Sequence, residues 1–251
     1  ESLHEEGLLW VGTDDGKVWV SRDAGANWSD ITPPGIPARG TVNNIEMSAH
    51  GPGRIFVPVK AFMLDDWQPY VFATSDYGDT WTQLTTGANG IPADTPVRIV
   101  REDPVVRGLL YAGTEFGLYV SFDDGRHWQK MQLNLPPIPV TDMRVHRGDL
   151  VVATQGRGIY ILDDVTPLYR ARDVHAALAD GSTPAYLFPP RDTVQAFTRG
   201  GSGPEERSGE NPPDGVQIFY ALAAGGAETA AAAAEGVAGD ESALTLEIFG
   251  P

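Results

Sequence analysis

The chain contains no cysteine, which excludes a disulfide framework and a thiolate metal site. It has no run of about 18 apolar residues, the shortest that crosses a bilayer as a helix, so no membrane span is expected. Basic residues are scarce: 18 Lys and Arg stand against 34 Asp and Glu, for a net charge of −16. Such a surface repels phosphate backbones and anionic lipid, so nucleic acid is not an expected partner. The five histidines, His4, His50, His127, His146 and His175, are scattered without ligand-like spacing, and no metal is expected. Gly200-Gly201-Ser202-Gly203 has no following Lys or helix to make a phosphate loop, and no cofactor is expected. The chain opens Glu1-Ser2-Leu3-His4 without a Met, which leaves a place for an upstream segment bearing a signal peptide.

Glycine and proline are plentiful instead, 29 and 20 of 251 residues. That composition favours many short strands and tight turns, and the expected class is all-β. One pattern recurs three times: a hydroxyl residue, then Asp, Gly and Trp at fixed offsets. It reads Ser21, Asp23, Gly25, Trp28; then Thr74, Asp76, Gly78, Trp81; then Ser121, Asp123, Gly125, Trp128. The aspartates lie 53 and 47 residues apart, and periods of about 40 to 50 residues are those of four-stranded propeller blades. Apolar runs bounded by Gly accompany the pattern at matching offsets, from Gly7 to Thr13, from Gly108 to Thr114 and from Asp149 to Thr154. The last of these begins a fourth unit that has lost the pattern.

The recurring turn has a physical purpose. Its carboxylate accepts backbone N–H groups from its own turn, its Gly supplies positive φ, and its Trp is expected to open the next strand and bury an indole at a sheet contact. Taking it as the turn between the third and fourth strands of each unit places strands at residues 42–47, 54–60, 70–74 and 81–84. The next two units give 97–101, 108–114, 118–121 and 128–133, then 140–146, 150–154 and 159–162.

These residues resemble the Asp-box, or BNR, repeat family, which includes sialidases, xyloglucanase-type glycosidases and the luminal domain of sortilin-type receptors. The phrases Tyr111-Ala112-Gly113-Thr114-Glu115-Phe116-Gly117 and Val152-Ala153-Thr154-Gln155-Gly156-Arg157-Gly158 look like bacterial proteins called sortilin-like or "glycosyl hydrolase BNR repeat". The resemblance covers roughly residues 1–170. It implies a partial Asp-box β-propeller of about four blades over residues 1–166, with earlier blades supplied upstream. A connector follows at 167–184, in which residues 174–178 make a helical turn. An incomplete second β-domain occupies 185–251, with strands at 185–188, 216–222 and 244–249 and flexible loops at 200–214 and 223–242. The run from Asn211 to Gly215 resembles the opening of the β-sandwich that follows the propeller in sortilin-like bacterial proteins.

In a propeller the turns between second and third strands share one edge, the usual ligand edge. Here they carry Asp14, Asp15, Asp65, Asp66, Trp67, Glu115, Phe116 and Arg157. Asp65 or Asp66 with Glu115 is a candidate catalytic pair, since glycoside hydrolysis uses two carboxylates. Asp14, Asp15, Trp67, Phe116 and Arg157 are candidate ligand contacts, the aromatic rings stacking on sugar and Arg157 gripping a carboxylate. The competing reading is solvated loop acids in a very acidic chain, a packed Phe116 and a plain turn residue at Arg157. A sialidase would need an Arg-Ile-Pro signature, and neither Arg98-Ile99-Val100 nor Arg54-Ile55-Phe56 supplies it. Three functions remain: a secreted or periplasmic module binding a peptide, protein or glycan, a glycoside hydrolase acting on a polysaccharide, and a purely structural assembly factor.

Overall fold

A computed structural model describes residues 1–42, 44–192 and 215–223. The chain divides into two compact units, Glu1–Asp163 and Asp164–Pro251.

The first unit consists of four antiparallel sheets in chain order. Sheet one holds β1 (Leu9–Gly12), β2 (Val18–Ser21) and β3 (Ser29–Asp30). Sheet two holds β4 (Glu46–Met47), β5 (Ile55–Val59), β6 (Tyr70–Thr74) and β7 (Thr82–Gln83). Sheet three holds β8 (Val97–Glu102), β9 (Leu110–Thr114), β10 (Gly117–Ser121) and β11 (Gln129–Lys130). Sheet four holds β12 (Val140–His146), β13 (Asp149–Thr154) and β14 (Ile159–Leu162).

Each inner sheet is used on both faces. Val18 and Val20 of sheet one share a core with Ile55, Val57 and Phe72 of sheet two. The alternate residues of sheet two, Phe56 and Val71, share a second core with Leu110, Ala112, Tyr119 and Trp128 of sheet three. Beyond it, β12 packs against β8 and β9. Successive side chains point to opposite faces, so a strand buried on both sides reads as a continuous apolar run. Every residue of β5, β9 and β10 is buried for that reason. Gly113 is where the following sheet comes closest: a Cβ there would sit 2.6 Å from Val140 Cγ1. Gly12 meets Val42 in the same way.

Several strands are shorter than their sequence suggests. The first strand of sheet two covers only Glu46–Met47, not 42–47, with an isolated bridge from Thr41 to Lys60. The fourth strands span two residues each rather than four to six. In sheets one and two a threonine hydroxyl replaces the next backbone acceptor: Val18 N–H donates to Thr32 Oγ1 and Val71 N–H to Thr85 Oγ1. Trp128 does not open its strand either, because its N–H donates to Asn89 O in the segment between sheets two and three.

In the second unit a 3-10 turn at Thr166–Arg170 leads into helix α1 (Ala171–Ala179), nine residues rather than a single turn. Pro167 starts the turn without losing a needed N–H, and Val174 is buried. A two-stranded pair follows, β15 (Ala185–Leu187) with β16 (Tyr220–Leu222). The second strand begins at Tyr220 rather than 216, since β15 offers it three partners. The expected loop at 200–214, the strand at 244–249 and the expected loop at 223–242, its first residue apart, lie outside the described residues.

Candidate ligand-binding site

The repeated turns fix the orientation of each sheet. Ser21 Oγ donates to Asp23 Oδ1 and accepts Gly25 N–H, while Asp23 Oδ1 also accepts Asn27 N–H at 2.8 Å. The same set joins Thr74, Asp76, Gly78 and Thr80, and again Ser121, Asp123, Gly125 and His127. Two successive left-handed residues make each turn, Ala24 and Gly25, Tyr77 and Gly78, Asp124 and Gly125. These bonds hold the carboxylates below the usual range. Asp76 falls to about 2, chiefly through the Thr80 hydroxyl. Asp23 is lowered chiefly by the Asn27 side chain. At Asp123 burial pushes upward, and the bonds from His127 and Ser121 outweigh it. Each turn is tied to the loop before the second strand: Ala24, Tyr77 and Asp124 donate N–H to the carbonyls of Gly7, Gly53 and Gly108.

The three indoles meet different fates. Trp128 is 3% exposed and its Nε1–H donates to Leu84 O of the preceding sheet. Trp81 is partly buried against the first core. Trp28 is 40% exposed and donates to Gly25 O of its own turn. The expected burial therefore fails at Trp28, because no sheet among the described residues lies over it.

The opposite edge carries the second-to-third-strand turns. Lys60, Glu115 and Gln155 occupy equivalent places there, each donating its backbone N–H to a carbonyl at the start of its own sheet's first strand, Thr41, Pro96 and Pro139. Arg98 of β8 links two of these places. Its Nε lies 3.0 Å from Glu115 Oε1 and its Nη1 donates to Gln155 Oε1 at 3.0 Å. Glu115 Oε1 is buried and the ion pair is out of line for a hydrogen bond, so that oxygen accepts none. Lys60 is lowered by desolvation first, then by Arg98, with Glu115 acting the other way. Arg98, Glu115 and Gln155 thus form one polar cluster, whose charges Lys60 feels from the neighbouring sheet.

Sequence-selected residues distribute around this cluster. Residues 62–69 begin as a 3-10 turn at Phe62–Leu64, closed by Asp65 in a left-handed conformation. Asp66 is committed to that loop: Oδ1 accepts Gln68 N–H and Oδ2 accepts the Tyr70 hydroxyl at 2.8 Å. Burial, with this bond second, raises Tyr70 to about 12. Asp65 and Trp67 are exposed, and the Trp67 ring lies 5.9 Å from that of Phe62. Phe116 is exposed too, not packed. Lys60 leads into the first of these loops and Glu115 begins the second, so both loops are second-to-third-strand turns, of sheets two and three. Asp14 is exposed, Asp15 accepts the Thr13 hydroxyl within its own turn, and Arg157 is exposed between two left-handed glycines.

Sequence reasoning missed Lys60, Arg98 and Arg101. Arg101 of β8 reaches Glu46 of β4 and Asp142 of β12, each at 2.7 Å, and also Met143 O. Burial raises Glu46, with Arg101 opposing. The available signal was charge at every third place in an otherwise apolar first strand, Val97-Arg98-Ile99-Val100-Arg101. Among the described residues no His, Asp and Glu group gathers to hold a metal, and no helix is long and apolar enough to cross a membrane.

No protein-family model matches the chain, and no curated protein matches it. Solved structures do. The GH74 enzyme of Niastella koreensis matches at 16% identity over 65% of this chain and 27% of that one, with a TM-score of 0.52. PorZ, described as an essential bacterial surface component of the type-IX secretion system of Porphyromonas gingivalis, matches at 16% identity over 69% and 26%, with a TM-score of 0.50. The likeness is one of fold. The chain spans about a quarter of the length of these two structures.

Proposed function

We propose that residues 1–163 are consecutive blades of an Asp-box β-propeller, that a second β-domain begins near residue 185, and that the protein is an extracytoplasmic module binding a peptide, protein or glycan. The ligand edge is the one bearing residues 62–69 and 115–117. The carrying observation is that Glu115 is ion-paired to Arg98 while Trp67 and Phe116 are exposed in the second-to-third-strand turns of sheets two and three. A carboxylate in an ion pair, with exposed aromatic rings in the neighbouring turns, suits recognition better than proton transfer. The three box turns and the bacterial-surface likeness of PorZ support the wider reading.

The test is a peptide and glycan binding screen on the full chain. Trp67→Ala and Phe116→Ala each weaken the ligand found by about tenfold or more, as aromatic anchors do. Binding indifferent to both substitutions contradicts this edge. The second reading, a glycoside hydrolase using Asp65 or Asp66 with Glu115, draws on the acid-and-aromatic loop. Asp66 bound to Tyr70 and Glu115 bound to Arg98 weigh against it. Polysaccharide turnover that is lost in Asp66→Asn and Glu115→Gln would put catalysis in place of simple binding.

A further inference from the structure

The link between the second and third strands of sheet two is longer than its counterparts. Residues 60–69 separate β5 from β6, where the other sheets use 13–17, 115–116 and 155–158. The hairpin does not need the extra residues, since the other sheets pair the same strands without them. The added length presents apolar side chains to solvent: Met63 is 83% exposed, Leu64 49% and Trp67 43%. Sheet two shares a core with the sheet on each side of it, so this exposure is not that of an end sheet.

The loop is tied down along its length. Leu64 and Asp66 donate N–H to Ala61 O, and Asp65 donates to Phe62 O. Asp66 is engaged by Gln68 N–H and the Tyr70 hydroxyl, and the Thr85 hydroxyl donates to Pro69 O at 2.7 Å. Ala61 at the entry and Pro69 at the exit are buried. The apolar tip is therefore ordered before anything binds, which removes part of the entropic cost of association. Its charge is of one sign. No Lys, Arg or His occurs between Lys60 and Arg98, and the Asp65 carboxylate makes no hydrogen bond or ion pair among the described residues.

We propose that this loop, as part of the ligand edge assigned above and resting on that reading, receives a peptide segment whose apolar core is flanked by Lys or Arg. Met63 and Leu64 offer a sugar neither a ring face nor a hydrogen bond. They do offer a pliable apolar surface to the side chains of a peptide. Asp65 and the face of Trp67 both attract cations, the first by its carboxylate and the second by its ring quadrupole. The same acids oppose an acidic segment and an anionic lipid surface.

Fluorescence anisotropy of the full chain tests it. The probes are short synthetic peptides with randomised apolar cores between basic flanks, the same cores between acidic flanks, β-glucan oligosaccharides and phosphatidylcholine vesicles. Binders come from the basic set, and salt weakens them. Leu64→Ser and Trp67→Ala each weaken the binder about tenfold or more. Asp65→Asn, which keeps a residue suited to the left-handed backbone, lowers the preference for basic over acidic flanks about threefold. All three side chains are exposed, so folding is retained and far-UV circular dichroism is unchanged. No binder in the basic set, equal binding of the acidic set, or binding unaltered by Leu64→Ser overturns the proposal, as does vesicle binding that Leu64→Ser abolishes. An oligosaccharide that binds and is lost in Trp67→Ala and Phe116→Ala overturns the peptide but keeps the ligand edge. A basic peptide whose binding is indifferent to both overturns the edge as well.

Discussion

Sheet three and sheet one carry the same turn and bury it differently. Asp123 and Asp23 make the same hydrogen bonds, and Gly125 and Gly25 have similar positive φ. Yet Trp128 is sealed under Leu84, while Trp28 stands in solvent against its own turn. The turn is therefore a local device that forms without help, whereas the energetic value of its indole belongs to the sheet in front. A sequence pattern specifies the first and is silent on the second.

The largest expected effect uses that contrast directly. Trp128→Ala removes a fully packed ring and costs about 4 kcal/mol, while Trp28→Ala costs under about 1 kcal/mol; urea unfolding of the two variants measures the difference. Next comes the junction between sheets two and three, where Arg54 occupies the place taken by Leu8 and Leu109 in their sheets. Arg54 is buried against Glu102 at 3.0 Å, with Asp124 and Ser75 also in reach. Arg54→Leu strands a buried Glu102 and costs about 3 kcal/mol, and the loss shrinks when Glu102→Leu accompanies it. Third, Gly125→Ala costs about 2 kcal/mol and Gly25→Ala about 1, combining left-handed strain with crowding. A Cβ at Gly125 would lie 2.8 Å from Leu84, whereas at Gly25 nothing comes nearer than 3.7 Å.

The smallest effect is in acid. Asp76 titrates at about 2 when folded, against 3.8 as the ordinary value. A depressed carboxylate stabilises the fold above its unfolded pKa and loses that contribution as pH falls through its folded one. Stability should decline between those two values, and Asp76→Asn should flatten the decline, as pH-dependent thermal unfolding would show.

The second and third strands and the three turns were legible because their signals are local: apolar runs, a hydroxyl–acid pair and a Gly within five residues. The first strands were legible in part, since sheet two pairs only at Glu46–Met47. The wider cluster was not legible, because, Glu115 apart, Arg98 and Arg101 take side-chain partners 41 to 57 residues away beside neighbouring sheets. The histidines teach the same lesson. His4 and His50, scattered as metal ligands, are repeat equivalents: each stands three residues before Gly7 or Gly53, and each ring reaches a carbonyl of the next sheet, Ser48 or Asp103. Spacing against the repeat, rather than against one another, was the signal.

The most direct test is solvent exchange of the indole N–H groups by NMR, with resonances assigned through single Trp→Phe variants. Trp128 should exchange slowly, held to Leu84 O inside the junction, and Trp28 should exchange rapidly. Equal protection of the two would contradict the claim that the neighbouring sheet, and not the turn, decides whether the indole is buried.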